Sequence, residues 1–240
     1  MLALVLQARL DSSRLPGKSL LPLGGKPLIL RVMEALCHIP SDARVLACPE
    51  DCVQSFAPLA AETGFELLAG PKEDVLERYC IAIRRYHIHQ VIRATGDNPF
   101  VFTDAAAAIT AEALALGADY AGYSGLPLGA GVESVSAAAL LRAETEAAAP
   151  CEREHVCPYL YGHPELFRLH RPLAPLRWCA PDMRLTVDTA ADYEKAQELY
   201  AALNRLANSQ SPYQGPAIIK LYKEIFSDTA SAAQNSPGTQ

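Results

Sequence analysis

Leu2-Ala3-Leu4-Val5-Leu6 is an unbroken apolar run that stops at Gln7 and leads directly into a loop carrying Arg9, Arg14 and Lys18. A run without polar alternation fits a strand covered on both faces, as in a parallel sheet flanked by helices. It is too short, and lacks the charged preceding region, for a signal peptide or a membrane span.

The rest of the chain repeats the theme. Pro27 stands where a first helical turn tolerates proline, opening a helical stretch to about Leu36. Short apolar runs at 45–47, 65–69 and 91–95 alternate with helical patterns over 53–62, 73–87 and 103–116, with Thr103 as the expected N-cap of the last. Further strands are expected at 119–123, 132–135 and 183–188, and further helices at 136–148 and 152–162. Thr189-x-x-Asp192 has the form of a capping box and opens a helix with Tyr193, Ala196, Tyr200 and Leu203 on one face; a short last helix spans 216–226. This alternation predicts a doubly wound, mostly parallel α/β fold whose sites lie at the carboxyl ends of strands. Residues 1–227 read as one domain and 228–240 as a disordered tail.

With 240 residues, 50% of them apolar, the chain can bury a substantial core without disulfides or a structural metal. A formal charge of -6 excludes the broad basic field that nucleic-acid binding needs. Cysteines at 37, 48, 52, 80, 151, 157 and 179 form no C-x-x-C pair and no common zinc spacing, so they read as reduced thiols of a cytoplasmic protein.

The densest chemistry lies in Gln7-Ala-Arg-Leu-Asp-Ser-Ser-Arg-Leu-Pro-Gly-Lys18. Small and hydroxyl residues between the cations let backbone N–H groups approach an anion, although neither a Walker nor a Rossmann glycine pattern is present. Charge and position alone leave two readings, a phosphate site or a solvated basic loop. Asp97, in Gly96-Asp97-Asn98-Pro99, is likewise either a ligand past a strand end or a turn residue, and Asp188 either a ligand or a carboxylate bonded to nearby N–H groups. Asp192 belongs to the helix cap. Ser12 and Ser13 have no evident His or Asp partner, which excludes a nucleophilic triad.

The pattern A-R-x-x-S-x-R-L-P-G-K-x-L-x-x-x-G-G-K-P-L from Ala8 to Leu28 resembles the opening of the CMP-sugar synthetases, which include CMP-ketodeoxyoctonate synthetase and the acylneuraminate cytidylyltransferases. Segments 73–79, 93–99, 153–161, 163–167 and 184–189 extend the likeness in order, closest to the SpsF-like polysaccharide-biosynthesis branch. The resemblance implies a Rossmann-like, GT-A-like nucleotidyltransferase domain with a small dimerisation appendage. It also implies transfer of CMP from CTP to a sugar or sugar acid with release of pyrophosphate.

By the same resemblance, Arg9 and Lys18 neutralise the triphosphate, with Arg14 as a third cation, and Ala8 and Ser13 belong to the same nucleotide loop. Asp97 and Asp188 hold Mg²⁺, Asp74 and Arg78 lie where the base is recognised, and Glu133, Glu154 and His155 lie toward the acceptor. A homodimer through the 123–170 region is implied as well, with no nucleic-acid or membrane partner. The chemistry is coherent: fixed cations and a hard divalent ion neutralise phosphates and the departing pyrophosphate, and Mg²⁺ takes one or two carboxylates plus phosphate oxygens.

Two departures bear on activity. Asp11 stands where the branch typically has Gly, and Gly131 where it has Asp. They keep open a member that binds nucleotide or a partner without turnover; a nucleotidyltransferase using another triphosphate, or a related nucleotide-sugar glycosyltransferase, is a separate alternative.

Overall fold

The opening apolar run becomes strand β1 (Leu2–Gln7) in the computed structural model, which describes residues 1–206 and 213–233. A short hairpin, β2 (Pro22–Leu23) and β3 (Lys26–Pro27), leads to α1 (Leu28–Leu36), followed by β4 (Ala43–Pro49), α2 (Val53–Thr63) and β5 (Glu66–Gly70). Then come α3 (Val75–Tyr86), β6 (Gln90–Thr95), α4 (Thr103–Leu116), β7 (Tyr120–Ala121), β8 (Glu133–Ser136) and α5 (Ala137–Glu146). The chain continues through α6 (Pro150–His155), α7 (Pro158–Gly162), β9 (Leu169–His170), α8 (Ala190–Leu206) and α9 (Gly215–Ala233).

Seven strands form one sheet in the order β5-β4-β1-β6-β8-β7-β9. The first four are mutually parallel, β8 runs antiparallel to both β6 and β7, and β9 pairs parallel to β7. This is the expected mostly parallel α/β sheet. The unalternated run of β1 serves both faces. Leu4 and Leu6 join the core formed with α1, α2, α4 and α8, while Ala3 and Val5 join the one formed with α3 and α5, all four fully buried. No helix among the described residues is long and apolar enough to cross a membrane.

Four local expectations need correction. Thr103 is the first residue of α4 rather than its cap, because its hydroxyl donates to the Tyr213 carbonyl at 3.0 Å. The helix expected over 152–162 is two short helices. Pro158 has no N–H to continue α6, and Val156 turns at φ 73 so that the Cys157 N–H reaches the His155 carbonyl. Residues 183–188 form no strand, since the N–H groups of Leu185, Thr186 and Val187 are taken by the carbonyls of Leu128 and Asp97 and leave only an isolated bridge at Arg184. Helix α9 runs to Ala233, so residues 228–233 of the expected tail are helical; residues 234–240 lie outside the described ones. The Thr189–Asp192 box is present in both directions, with bonds of 3.2 and 3.0 Å.

Candidate active site

The basic loop leaves β1 at its carboxyl end and folds back on itself. The Leu10 carbonyl accepts from the N–H groups of Ser12 and Gly17, and buried Ser19 donates its hydroxyl to the Arg9 carbonyl at 2.9 Å. Gly17 adopts φ 67, a left-handed conformation that a side chain would strain. The turn carries Lys18 into a cleft lined by both ends of the loop and by the ends of β1 and β6.

Asp97 is positioned by a close crossing of those two strand ends. The Gly96 N–H donates to the Gln7 carbonyl at 2.9 Å, and a β-carbon at residue 96 would stand 2.9 Å from the Ala8 side chain. The Val187 N–H donates in turn to the Asp97 carbonyl at 2.9 Å, which brings Asp188 alongside. The Lys18 ammonium spends all three protons here: on Asp97 Oδ2 at 3.0 Å, Asp188 Oδ1 at 3.0 Å and the Val187 carbonyl at 2.8 Å. Arg14 also reaches Asp188 Oδ1, at 3.0 Å.

Asp188 is held from behind. Arg184 donates to its Oδ2 at 2.7 Å and to Asp192 Oδ1 at 2.8 Å. Asp192 accepts from the backbone N–H groups of Asp188 and Thr189. Burial works against the Asp192 charge, but Arg184, Thr189 and those N–H groups outweigh it and hold its carboxyl at about 2.

Two carboxylates from distant segments thus converge on one cation at the cleft. No group of three or more His, Cys, Asp or Glu that could hold a metal ion is found among the described residues, here or elsewhere. Asp97 and Asp188 are hard oxygen donors of the kind a divalent cation such as Mg²⁺ takes, and the Lys18 ammonium stands between them.

Val75, Arg78, Gln7 and Ala8 also line the cleft, together with Ser13 and Arg14 of the loop. Arg78 is only 2% exposed, and its Nε and Nη1 have no hydrogen-bond partner. Burial accordingly pushes its guanidinium below the ordinary arginine value. A buried, unpaired guanidinium lining a cleft calls for an acceptor-bearing ligand.

Asp74 does not join it. One oxygen caps α3 by accepting from the Glu77 N–H at 2.9 Å, and the other accepts from Arg153 at 2.5 Å, tying α6 to α3. Arg9 lines the cleft, 3.6 Å from Glu154 and 3.7 Å from Asp11. Asp11 pairs with Lys72 at 2.8 Å; the hydrogen bond from Lys72 is the largest influence lowering its pKa, partly opposed by burial.

The three expected acceptor residues are not brought together. Glu154 and His155 line this cleft, whereas Glu133 lines a neighbouring one. Arg93 and Thr95 line both. Arg93 stands opposite Glu133 in the β6–β8 register and forms an ion pair with it. Sequence reasoning missed Arg93 and Arg184. An arginine inside the apolar run of β6 was the available signal for the first, and nothing local marked the second. All seven cysteines are free, and burial pushes the Cys48 and Cys80 thiols up to about 12, as expected of inert core thiols.

The chain is 35% identical over 203 residues to the spore coat polysaccharide biosynthesis protein SpsF of Bacillus subtilis, covering 82% of this chain and 85% of that one. Its fold is shared with a cytidylyltransferase of Leptospira borgpetersenii, at TM-score 0.81 and 23% identity over 100% of this chain and 99% of that one. A CMP-2-keto-3-deoxy-manno-octonic acid synthetase complexed with CTP superposes at TM-score 0.65 and 18% identity, over 84% of this chain and 98% of that one. The cytidylyltransferase family model matches residues 3–220, a span that takes in the basic loop, Asp97 and Asp188 alike, and the chain is a member of that nucleotidyltransferase family.

Proposed function

We propose that the protein transfers CMP from CTP to a sugar and releases pyrophosphate, with Mg²⁺ as the metal. The observation that carries this reading is the convergence of Lys18, Asp97 and Asp188, from three separate segments, at one cleft. Arg9, Arg14 and Lys18 supply the charge that a triphosphate requires. A Mg²⁺ bound by Asp97 and Asp188 supplies further neutralisation of the phosphates when present. Arg184 and Asp192 keep the Asp188 carboxylate turned toward the cleft. The sugar hydroxyl attacks the α-phosphorus in line, its oxygen bonding to phosphorus and releasing its proton to solvent as the bond to the departing pyrophosphate breaks.

Arg78 supports cytosine in particular. It is a buried guanidinium at the cleft whose Nε and Nη1 lack partners, and cytosine presents two acceptors, O2 and N3, on the edge where uracil has an N–H at N3. Asp11 does not line the cleft, which favours an active enzyme over a member that only binds nucleotide. The printed name of the Bacillus relative supports a place in polysaccharide biosynthesis. A cytoplasmic homodimer through the 123–170 region belongs to the same reading, with exposed Leu128, Tyr161 and Leu166 as apolar surface there.

A screen of nucleoside triphosphates with Mg²⁺, read as thermal stabilisation and as pyrophosphate release with candidate sugars, tests the reading. CTP is expected to stabilise most, and Arg78→Met to weaken CTP by about tenfold or more. Preference for another triphosphate would move the base assignment, and equal shifts from CTP, CMP and buffer would remove the phosphate site.

A further inference from the structure

The neighbouring cleft shares Arg93 and Thr95 with the nucleotide cleft and is walled by Tyr120, Tyr123, Leu126 and a glycine-rich loop. Its floor holds a single pair of opposite charges. Arg93 and Glu133 are the only charged side chains among its lining residues, and they are bonded to each other. Tyr120 donates its hydroxyl to the same Glu133 at 2.7 Å. Burial works against the Glu133 charge, but Arg93 and Tyr120 keep its carboxyl below the ordinary glutamate value, so it remains an acceptor of hydrogen bonds. Arg93 also has a buried Nε without a partner.

These features define the ligand. A hydroxyl both donates and accepts, so a ligand hydroxyl can donate to the Glu133 carboxylate while remaining an acceptor itself. A ligand carboxylate only accepts, and here it would meet Glu133 with no uncommitted cation in the lining to balance it. Gly131 lines this cleft, and its lack of a side chain leaves the lining at zero net charge. The aromatic rings and leucines offer apolar walls for the C–H faces of a pyranose.

We propose that this second cleft holds the acceptor, and that the part it holds is an uncharged, hydroxyl-bearing sugar ring rather than a sugar acid. The inference rests on the nucleotide reading of the first cleft. The inference concerns the ring alone, so a phosphate carried on the acceptor is compatible with it.

The test uses the full chain saturated with Mg²⁺ and non-hydrolysable α,β-methylene-CTP, with saturation-transfer NMR and titration to measure acceptor binding. One arm is neutral hexoses, N-acetylhexosamines and their 1-phosphates; the other is 3-deoxy-2-keto sugar acids. The neutral arm is expected to contain binders at least tenfold tighter than any sugar acid. Glu133→Gln releases Arg93 and leaves the lining with a net positive charge, so it should weaken the neutral binder and tighten sugar acids, reversing the order. The wild-type comparison stands even where that variant misfolds. Tighter binding of sugar acids to wild type, or no binding in the neutral arm, overturns the inference while leaving the nucleotide reading intact. Absence of any thermal shift from the CTP analogue brings down both.

Discussion

Lys18→Met isolates the ammonium that joins the two aspartates. In the wild type the Lys18 side chain is 12% exposed, and those of its partners Asp97 and Asp188 are 28% and 15% exposed. Hydrogen bonds to charged groups contribute about 1.5–3 kcal/mol each and a neutral one about 1 kcal/mol. Much of that offsets the desolvation of the ammonium, and Asp97 remains partly wet, so the net loss is about 2 kcal/mol. For a chain of this size such a loss lowers the melting temperature by roughly 4–8 °C.

The variant also leaves two carboxylates facing each other without the cation between them. A divalent ion held by both no longer has to displace an ammonium that sits 3.0 Å from each. Mn²⁺ binding without nucleotide, followed by water-proton relaxation, is therefore expected to tighten about tenfold, or about 1.4 kcal/mol. Mg²⁺ should raise the melting temperature of Lys18→Met more than that of wild type, while pyrophosphate release falls because the triphosphate has lost a cation. Equal stability of the two proteins in EDTA, together with equal stabilisation by Mg²⁺, would refute the reasoning.

Three further outcomes are expected. Asp97→Asn and Asp188→Asn should each cut pyrophosphate release about a hundredfold or more, roughly 2.7 kcal/mol, and the double variant should be far less than multiplicatively worse; wild-type turnover in either single variant would remove that residue from the metal site. Asp11→Gly frees Arg9 and Lys72 from their carboxylate, so CTP titrations should show tighter binding, most clearly at low salt, and weaker binding would assign the carboxylate a direct role. Asp192 has its folded pKa lowered to about 2 from 3.8, so the stability it contributes is present above 3.8 and is lost as pH falls toward 2. Melting temperatures measured across that acid range should fall more steeply for wild type than for Asp192→Asn.

The fold was legible wherever local chemistry and tertiary demand agree. The unalternated run of β1 requires cover on both faces and receives it, and the Thr189–Asp192 box caps α8 with the bonds its spacing predicts. Legibility failed where one residue type serves two purposes. Asp74 has the chemistry of a base-binding residue and of an N-cap, and in the fold its oxygens accept from the Glu77 N–H and from Arg153. Residues 183–188 are apolar enough for a strand, yet the N–H groups of Leu185, Thr186 and Val187 are taken by loop carbonyls that only folding brings near.

The sequence by itself determined the parallel α/β sheet and the basic loop at the end of its first strand, because each depends on periodicity or on residues close together in the chain; Asp97 and Asp188 were singled out by the resemblance alone. Only the tertiary structure decided that Lys18 lies between Asp97 and Asp188, 79 and 170 residues away. It alone buried Arg78 without a partner and paired Arg93 with Glu133 across the sheet. The physical reason is common to all three: contacts between distant segments follow from strand register and from the crossing of strand ends at Gly96, and no local spacing encodes either.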